Sequence, residues 1–494
     1  MSKAIAQERP VGASFARHPK GLAILFFTEM WERFTYYGMR SVLILFLVGA
    51  VTEGALGLDD RTASSIYGLY ISGTYVLALL GGWIADRLIG PQRAVIGGAT
   101  IIILGNILLT LGRPDLFYVG LLVIVCGVGL LKPNISVMVG QLYPEGGSRR
   151  DSGFSIFYMG ISVGALLGSL LVPLCVLYYG WSAAFSLGAV GMAIGLCYFL
   201  LRRDRLPLAE PVQAVPGRTR AWTPVFLFLA AITLVVGLAM GGVLRIDANA
   251  AATWSSGVIA ALALAYFLYL LLFAGLDGEE KRRVLVMIVL FASYAIFYAG
   301  FEQGGASLNL FAERYTDREL LGLQVPAGML QGSTAFFTIL LAPVFARLWL
   351  SLGRRGMDVS APAKFAIGMG LLAAGMAVMV VASRIVVSGQ MVLPTWLLFS
   401  YLLQECGDLC LSPVGLSSMT KLAPARFVGQ VMGLWFLALA LGNNLAGLLS
   451  RGYDAARLET LPSLFIQITL MALGAAVLLT VLSPRLRRMI GDAQ

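Results

Sequence analysis

Residues 28–40 read Thr28-Glu29-Met30-Trp31-Glu32-Arg33-Phe34-Thr35-Tyr36-Tyr37-Gly38-Met39-Arg40, and they stand inside an otherwise apolar run of about 21–50. Glu29, Glu32, Arg33, Tyr36 and Arg40 recur at intervals of three and four, so a helix through them carries one polar face for much of its length. Turned toward lipid, that face would be prohibitive, because each charge at bilayer depth costs ~2.5 kcal/mol or more. The stripe must face a bundle interior or a wet cavity, where such residues commonly serve ion or substrate pathways. A static salt-bridge knot is the plainer reading. Lys132 and Glu302 weigh against it, because they bring charges from two other apolar runs.

The rest of the chain fits this setting. Of 494 residues 58% are hydrophobic and 13% charged, with mean hydropathy +0.83, more apolar surface than a soluble core can hide. The lipid bilayer must be part of its solvent. A net charge of +10 does not point to nucleic acid, since the basic residues lie in short loops between apolar runs rather than on one face. Cys126, Cys175, Cys197, Cys406 and Cys410 all fall in apolar segments without metal-knuckle or redox spacing, and read as small core residues. The first 20 residues lack an apolar signal-peptide core, so insertion is expected to begin with the first span.

Stretches of ~20 apolar residues occur at about 21–50, 62–86, 93–112, 116–141, 153–179 and 182–201, then about 223–243 and 253–275. A last set follows at about 284–311, 325–350, 364–383, 392–419, 427–450 and 461–483, which predicts fourteen helices in groups of six, two and six. With a cytoplasmic N-terminus, the inner segments carry 25 of the 36 Lys and Arg and the outer loops eight, a strong positive-inside bias. The other three, Arg33, Arg40 and Lys132, lie inside spans. The expected organisation is a cytoplasmic N-terminus (1–20), a six-helix bundle (21–201), a cytoplasmic linker (202–222) and an additional helix pair (223–275). A short linker (276–283), a second six-helix bundle (284–483) and a cytoplasmic C-terminus (484–494) complete it. The middle pair carries no charge deep in either helix and is expected to face lipid, outside any transport path.

A faint internal repeat supports two halves: Lys132-Pro133 runs on to Tyr143-Pro144, and Ser412-Pro413 to Ala423-Pro424, each pair of prolines eleven apart. Parallel six-helix halves around a central site are the architecture of the major facilitator fold. Gly82, Asp86, Arg87, Gly90 and Arg93 fit that fold's loop signature between the second and third spans, with Asp86 and Arg87 as gate residues or, more plainly, a structural hinge. A lone lysine in an apolar helix needs an anion close by, which Glu302 or the first-span glutamates can supply for Lys132. Protonating that carboxylate frees the lysine for a substrate carboxylate, the linkage a proton-coupled carrier needs. The single histidine, His18, precedes the first span, so carboxylates must do the switching. Glu405 and Asp408, three apart in the tenth span of the two bundles, could each meet a substrate ammonium group, or simply bond Ser412 or Asn443.

Together these motifs resemble the proton-dependent oligopeptide transporters of the major facilitator superfamily, in the bacterial form with two extra helices. The resemblance rests on Glu29-x-x-Glu32-Arg33-Phe34-x-Tyr36-Tyr37-Gly38-Met39-Arg40, Lys132-Pro133-Asn134, Phe154 to Gly164, Phe301-Glu302-Gln303-Gly304-Gly305, and Ser412-Pro413-Val414-Gly415-Leu416-Ser417. It implies symport of di- and tripeptides with protons by alternating access, in a protein that works as a monomer in the bacterial inner membrane. It implies proton coupling by Glu29, Glu32, Arg33, Lys132 and Glu302, and an outer gate in which Arg40 pairs with Glu302. Peptide contacts are implied for Arg33, Tyr36, Tyr37, Arg40, Tyr75, Lys132, Glu302 and Trp435, and for the departing positions Ser162, Tyr298, Thr334 and Asp408. No cofactor other than the coupling proton and no metal is implied.

Ser162 and Thr334 stand where that family usually has asparagine, Asp408 where it has glutamate, and Tyr298 where tryptophan is common. Serine and threonine offer a single short hydroxyl where asparagine donates and accepts at once, so peptide selectivity is expected to be narrower, or waters to fill the gap. A symporter of another small anionic or zwitterionic solute is the sibling reading, and a non-transporting peptide sensor the remote one. An enzyme is disfavoured, because the sequence offers no metal-ligand cluster, nucleophile–base pair or phosphate loop at convincing spacing.

Overall fold

The computed structural model describes residues 18–144, 147–206, 218–320, 322–355, 357, 359–453 and 457–490. Residues 1–17, 207–217 and 491–494, parts of the expected cytoplasmic segments, lie outside them. The described chain is almost wholly helical: α1 Lys20–Val48, α2 Asp60–Ile84, α3 Pro91–Thr110, α4 Pro114–Gln141, α5 Gly147–Arg202, α6 Arg218–Met240 and α7 Ala248–Leu272. There follow α8 Gly278–Phe301, α9 Ser307–Tyr315, α10 Ala327–Arg354, α11 Ala361–Val387, α12 Thr395–Leu422, α13 Val428–Ser450 and α14 Leu461–Ile490.

Two of these helices differ from the one-run, one-helix expectation. α5 holds the fifth and sixth spans, because Gly180 adopts φ 81°, open to glycine, and turns the chain inside it. The span expected to run unbroken over 284–311 is interrupted after α8 by a 3-10 turn, Glu302–Gly305, before α9 resumes. The hydroxyl of Tyr67 occupies the place a Cβ on Gly305 would need. With those adjustments each expected span has its helix. Among the described residues, ten helical stretches are long and apolar enough to cross a membrane, the double α5 counting once. α1 and α12, which carry the charges singled out above, and α6, whose apolar part Val225–Met240 is shorter, stand outside that count. Pro133 and Pro413 sit inside α4 and α12, each 28 residues long, so the two repeat motifs occupy matching places in their helices.

The helices form two compact units whose boundaries pass through α1, α2, α5 and α6. One comprises Met1–Gly38, Leu77–Gly168 and Phe185–Val236; the other comprises Met39–Val76, Ser169–Ala184 and Gly237–Gln494. In the first unit α1 is bedded on glycines. A Cβ on Gly164 would strike the Met30 carbonyl and come within 2.9 Å of Arg33 Cβ, while Gly160 and Gly168, four residues to either side, meet Phe26 and Phe34 in the same way. Gly188, Gly191 and Gly195 from the second limb of α5 approach Thr35, Phe34 and Trp31. Within a membrane, small residues let helix backbones touch where apolar burial supplies no drive. The fifth-span motif Phe154 to Gly164 thus sets the position of α1 and its charged stripe. Gly164→Val is expected to destabilise the protein by about 1–3 kcal/mol through overpacking, read as a lower detergent melting temperature; an unchanged melt would show that this contact gives way freely.

In the second unit, α11 packs against α12 and α14, with Gly368 and Gly407 in mutual backbone approach. α13 meets α2 where Gly68 and Gly447 touch, and meets α8 where Gly442 reaches the Ala295 carbonyl. α7 exposes Trp254, Leu262 and Leu264 on one face and packs with the other. It buries a stripe of Ala252, Ser256, Ile259, Ala263, Phe267 and Leu270. Its Asn249 Oδ1 accepts from Ser65 of α2 at 2.8 Å, and Asn444 of α13 donates to Ser255 at 2.6 Å. Arg451, just past α13, donates to the Asn249 carbonyl at 2.6 Å and to Ser65 at 2.8 Å. Side-chain amides and hydroxyls, which a scan for charge passes over, hold α7 to its neighbours. α6 leaves Phe226, Leu227 and Leu234 more than 60% exposed, as lipid contact requires.

Candidate functional site

The polar face of α1 divides between the two units. In the first, Arg33 Nε lies 3.1 Å from Glu29 Oε1 and also contacts Glu32 Oε2, with all three side chains no more than 4% exposed. One guanidinium therefore serves two carboxylates. Glu29 Oε2, Glu32 Oε1 and Arg33 Nη2 are buried without a hydrogen-bond partner among the described residues, a costly condition for charged groups. Lys132, half-buried on α4, exerts a Coulombic effect on Glu29. Its Nζ lies 5.8 Å from the centroid of the Tyr36 ring, and the Arg33 guanidinium 5.0 Å from the same ring. Tyr37 packs edge-on against Tyr36 at 5.2 Å. With every group ionised this set is neutral, so each proton gained leaves one positive charge unbalanced. It can therefore hold a proton or an anionic group.

In the second unit Arg40, two turns farther along α1, lies with Nη2 2.9 Å from Glu302 Oε2 at the start of the α8–α9 break. Its Nε donates to the Tyr67 hydroxyl at 3.2 Å. The same Tyr67 fills the space beside Gly305, so the glycine turn makes room for the group that orients Arg40. A second ion pair, between α2 and α9, is not visible in the sequence: Arg314 meets Asp60 with two bonds of 2.8 and 2.7 Å, and lies 5.5 Å above the ring of Tyr453. The partners are 254 residues apart. The only sequence trace is their placement, an acid opening α2 and a base closing α9, each matching its helix dipole.

The carboxylates of α12 receive different surroundings. Glu405 is 3% exposed, and its Oε1 accepts from Thr338 of α10 at 2.5 Å. Asp408 is only half-buried; its Oδ1 accepts from Ser412 and, at 3.3 Å, from Tyr298. Ser412 is also 3.0 Å from the hydroxyl of Tyr294, whose ring stacks on Trp435 at 3.9 Å and 20°. Trp435 is 2% exposed against Gly415 and so is packed in this cluster. Tyr75 is near enough to Tyr294 and Tyr298 to interact with both electrostatically.

Residues 92–461 match the model of the POT family. The chain belongs to that family. It is 41% identical to the peptide transporter YePEPT of Yersinia enterocolitica, an alignment covering 98% of each chain. It is 35% identical to a di-/tripeptide transporter of Lactococcus lactis, over 86% of this chain and 88% of the other. Among solved structures, the peptide transporter POT in complex with sulfate superimposes with TM-score 0.89 at 37% identity, over 96% of both chains. A POT family transporter in complex with 5-aminolevulinic acid gives 0.87 at 32% identity, over 96% of this chain and 98% of that one. The protein is an integral membrane protein of the major facilitator fold.

Not every anticipated residue of this POT-family chain joins a cluster. Among the described residues, the half-buried Ser162 reaches only the Tyr158 carbonyl of its own helix at 3.5 Å, while Thr334 donates to the Gln331 carbonyl at 2.9 Å, also within its helix. Asp86 and Arg87 are exposed, in a π-helical turn, Ala85–Ile89, that ends at Gly90 with φ 81°. They lie just past the end of α2 opposite Asp60. His18, at the foot of α1, is buried with Nδ1 2.8 Å from the Tyr143 hydroxyl. Burial and the nearby Arg149 hold its pKa below the ordinary histidine range, so it stays neutral near pH 7.

Proposed function

We propose that this chain is a proton-coupled symporter of di- and tripeptides, working by alternating access as a monomer in the bacterial inner membrane, with both termini cytoplasmic. The observation that carries this reading is the buried group Glu29, Glu32 and Arg33, with the half-buried Lys132 completing its charge. Its unpartnered atoms and exact charge balance leave it responsive to one proton or one carboxylate. In this reading Glu29 and Glu32 exchange the proton, and Arg33 and Lys132 take the peptide carboxylate when the glutamates no longer claim them. Tyr36, Tyr37 and Tyr75 border the cargo; Ser162, Thr334 and Tyr298 offer it hydroxyls. Asp408 takes its ammonium group, and Trp435 backs its side-chain pocket. Arg40 with Glu302 closes the outer gate, and Asp86 with Arg87 serves the cytoplasmic side. The two six-helix bundles, 21–201 and 284–483, are the moving halves, with 223–275 added between them.

A second reading, symport of another small zwitterion, is favoured by one observation: a POT family transporter 32% identical to this chain has been solved with 5-aminolevulinic acid. The short hydroxyls at Ser162 and Thr334 suit a smaller cargo equally well. Uptake of labelled di- and tripeptides into proteoliposomes under an inward proton gradient, with and without an uncoupler, tests the first reading. Accumulation above equilibrium that collapses with uncoupler is expected. Absent or gradient-insensitive uptake across a broad peptide panel, beside accumulation of 5-aminolevulinic acid, would favour the second.

A further inference from the structure

Asp408 and Glu405 are one helical turn apart on α12, and among the described residues no Lys, Arg or His nitrogen lies within 4.0 Å of either carboxylate. They are not equivalent. Glu405 is closed in and bonded to Thr338. Asp408 remains half-buried, and both of its hydrogen bonds, from Ser412 and from Tyr298, fall on the same oxygen, Oδ1. Its Oδ2 accepts from no described residue. We propose that Ser412, anchored by Tyr294, is a positioning residue that turns Asp408 so that Oδ2 is presented to the cationic group of the cargo. This rests on the reading of Asp408 as the ammonium acceptor.

The direction of the hydrogen bonds carries the argument. A serine hydroxyl has one hydrogen and two lone pairs. Ser412 gives that hydrogen to the Asp408 carboxylate, so at the 3.0 Å contact with Tyr294 it must accept. Tyr294 therefore donates to Ser412, which donates to Asp408, and each bond polarises the next. The chain has a rigid origin, because the Tyr294 ring is stacked on Trp435, and Trp435 is wedged against Gly415. Tyr298 adds a second donor on the same oxygen and stops the carboxyl group rotating about its last bond. Two donors on Oδ1 leave the lone pairs of Oδ2 for a third, and a charge-assisted bond there is strong only if its geometry is held. Ser412 itself need not touch the cargo.

The test compares a dipeptide with its des-amino analogue as competitors of labelled-peptide uptake, because the ratio of their inhibitory concentrations isolates the ammonium contact. Ser412→Ala is expected to cut the wild-type preference for the amine about ten-fold, as suits a hydrogen bond to a charged group. Inhibition by the des-amino analogue should be unchanged, and Ser412→Thr, which keeps the hydroxyl, should restore the preference. Tyr298→Phe should cause a smaller loss of the same kind. A variant that merely folded less well would lower uptake without moving the ratio, and that result overturns the proposal. Asp408→Ala separates the two ideas. If it abolishes the preference while Ser412→Ala leaves it intact, the positioning role falls and the ammonium contact stands. If Asp408→Ala itself keeps the preference, the contact and the positioning role fall together.

Discussion

Glu32→Gln and Lys132→Ala are each expected to abolish accumulation of peptide against its gradient, leaving uptake that only equilibrates and peptide exchange in preloaded vesicles. The reason is local to the first unit. Arg33 is shared by Glu29 and Glu32, and the half-buried Lys132 brings the fourth charge of a set that is neutral when every group is ionised. Glutamine at 32 keeps the shape and removes the titrating oxygen, so the affinity of Arg33 for a carboxylate no longer depends on a proton at that position. Alanine at 132 removes a positive charge from a region where each buried charge is paired or costly. Either change severs the dependence of cargo binding on protonation, which is all that coupling consists of. Exchange needs only binding and reorientation, so it persists. Counterflow in preloaded vesicles beside gradient-driven uptake separates the two, and normal accumulation in both variants would leave the α1 charges with a structural role only.

Breaking the Arg40–Glu302 pair should have the largest effect on stability. Both side chains are at most 7% exposed, and Tyr67 supplies Arg40 with a further contact. Removing one member of a buried pair leaves the other uncompensated, at about 3–5 kcal/mol, whereas replacing both by apolar groups is often nearly neutral. Arg40→Met and Glu302→Met are each expected to lower the melting temperature strongly, and the double variant to recover most of the loss. In a double-mutant cycle that recovery is the coupling energy. Simple addition of the two losses would mean the charges do not depend on one another. Transport is expected to stay absent in the double variant, because a gate must open as well as close.

How much of this was open to a reader of the sequence depends on the range of the interaction. The helices follow from apolar runs of membrane-spanning length, and the stripe from Glu29 to Arg40 is visible because 3.6-residue periodicity and the cost of charge in lipid are both local properties. The proline motifs in α4 and α12 were legible for the same reason. The Asp60–Arg314 pair was not, since each residue reads as an ordinary loop-edge charge until the fold brings 254 residues of separation down to 2.7 Å. Nor was the break at Glu302–Gly305, where two glycines within an apolar run signal a possible weakness and only the Tyr67 hydroxyl shows why it is used.

By itself the sequence determined a bundle of membrane helices with a charged face on the first, because burying ions in lipid has no cheaper solution than turning them inward. It left open which charges meet. Arg33 and Arg40 share one stripe of one helix, yet Arg33 joins glutamates of its own helix and Arg40 the Glu302 of another. Glu405 and Asp408 are likewise adjacent turns of α12, and only tertiary packing decided between them. Thr338 and near-complete burial enclose the first, while Ser412 and Tyr298 occupy one oxygen of the second and leave the other open. Spacing along a helix places two side chains on a common face. Which one stays accessible depends on neighbours from distant segments, and that is set by how the helices pack.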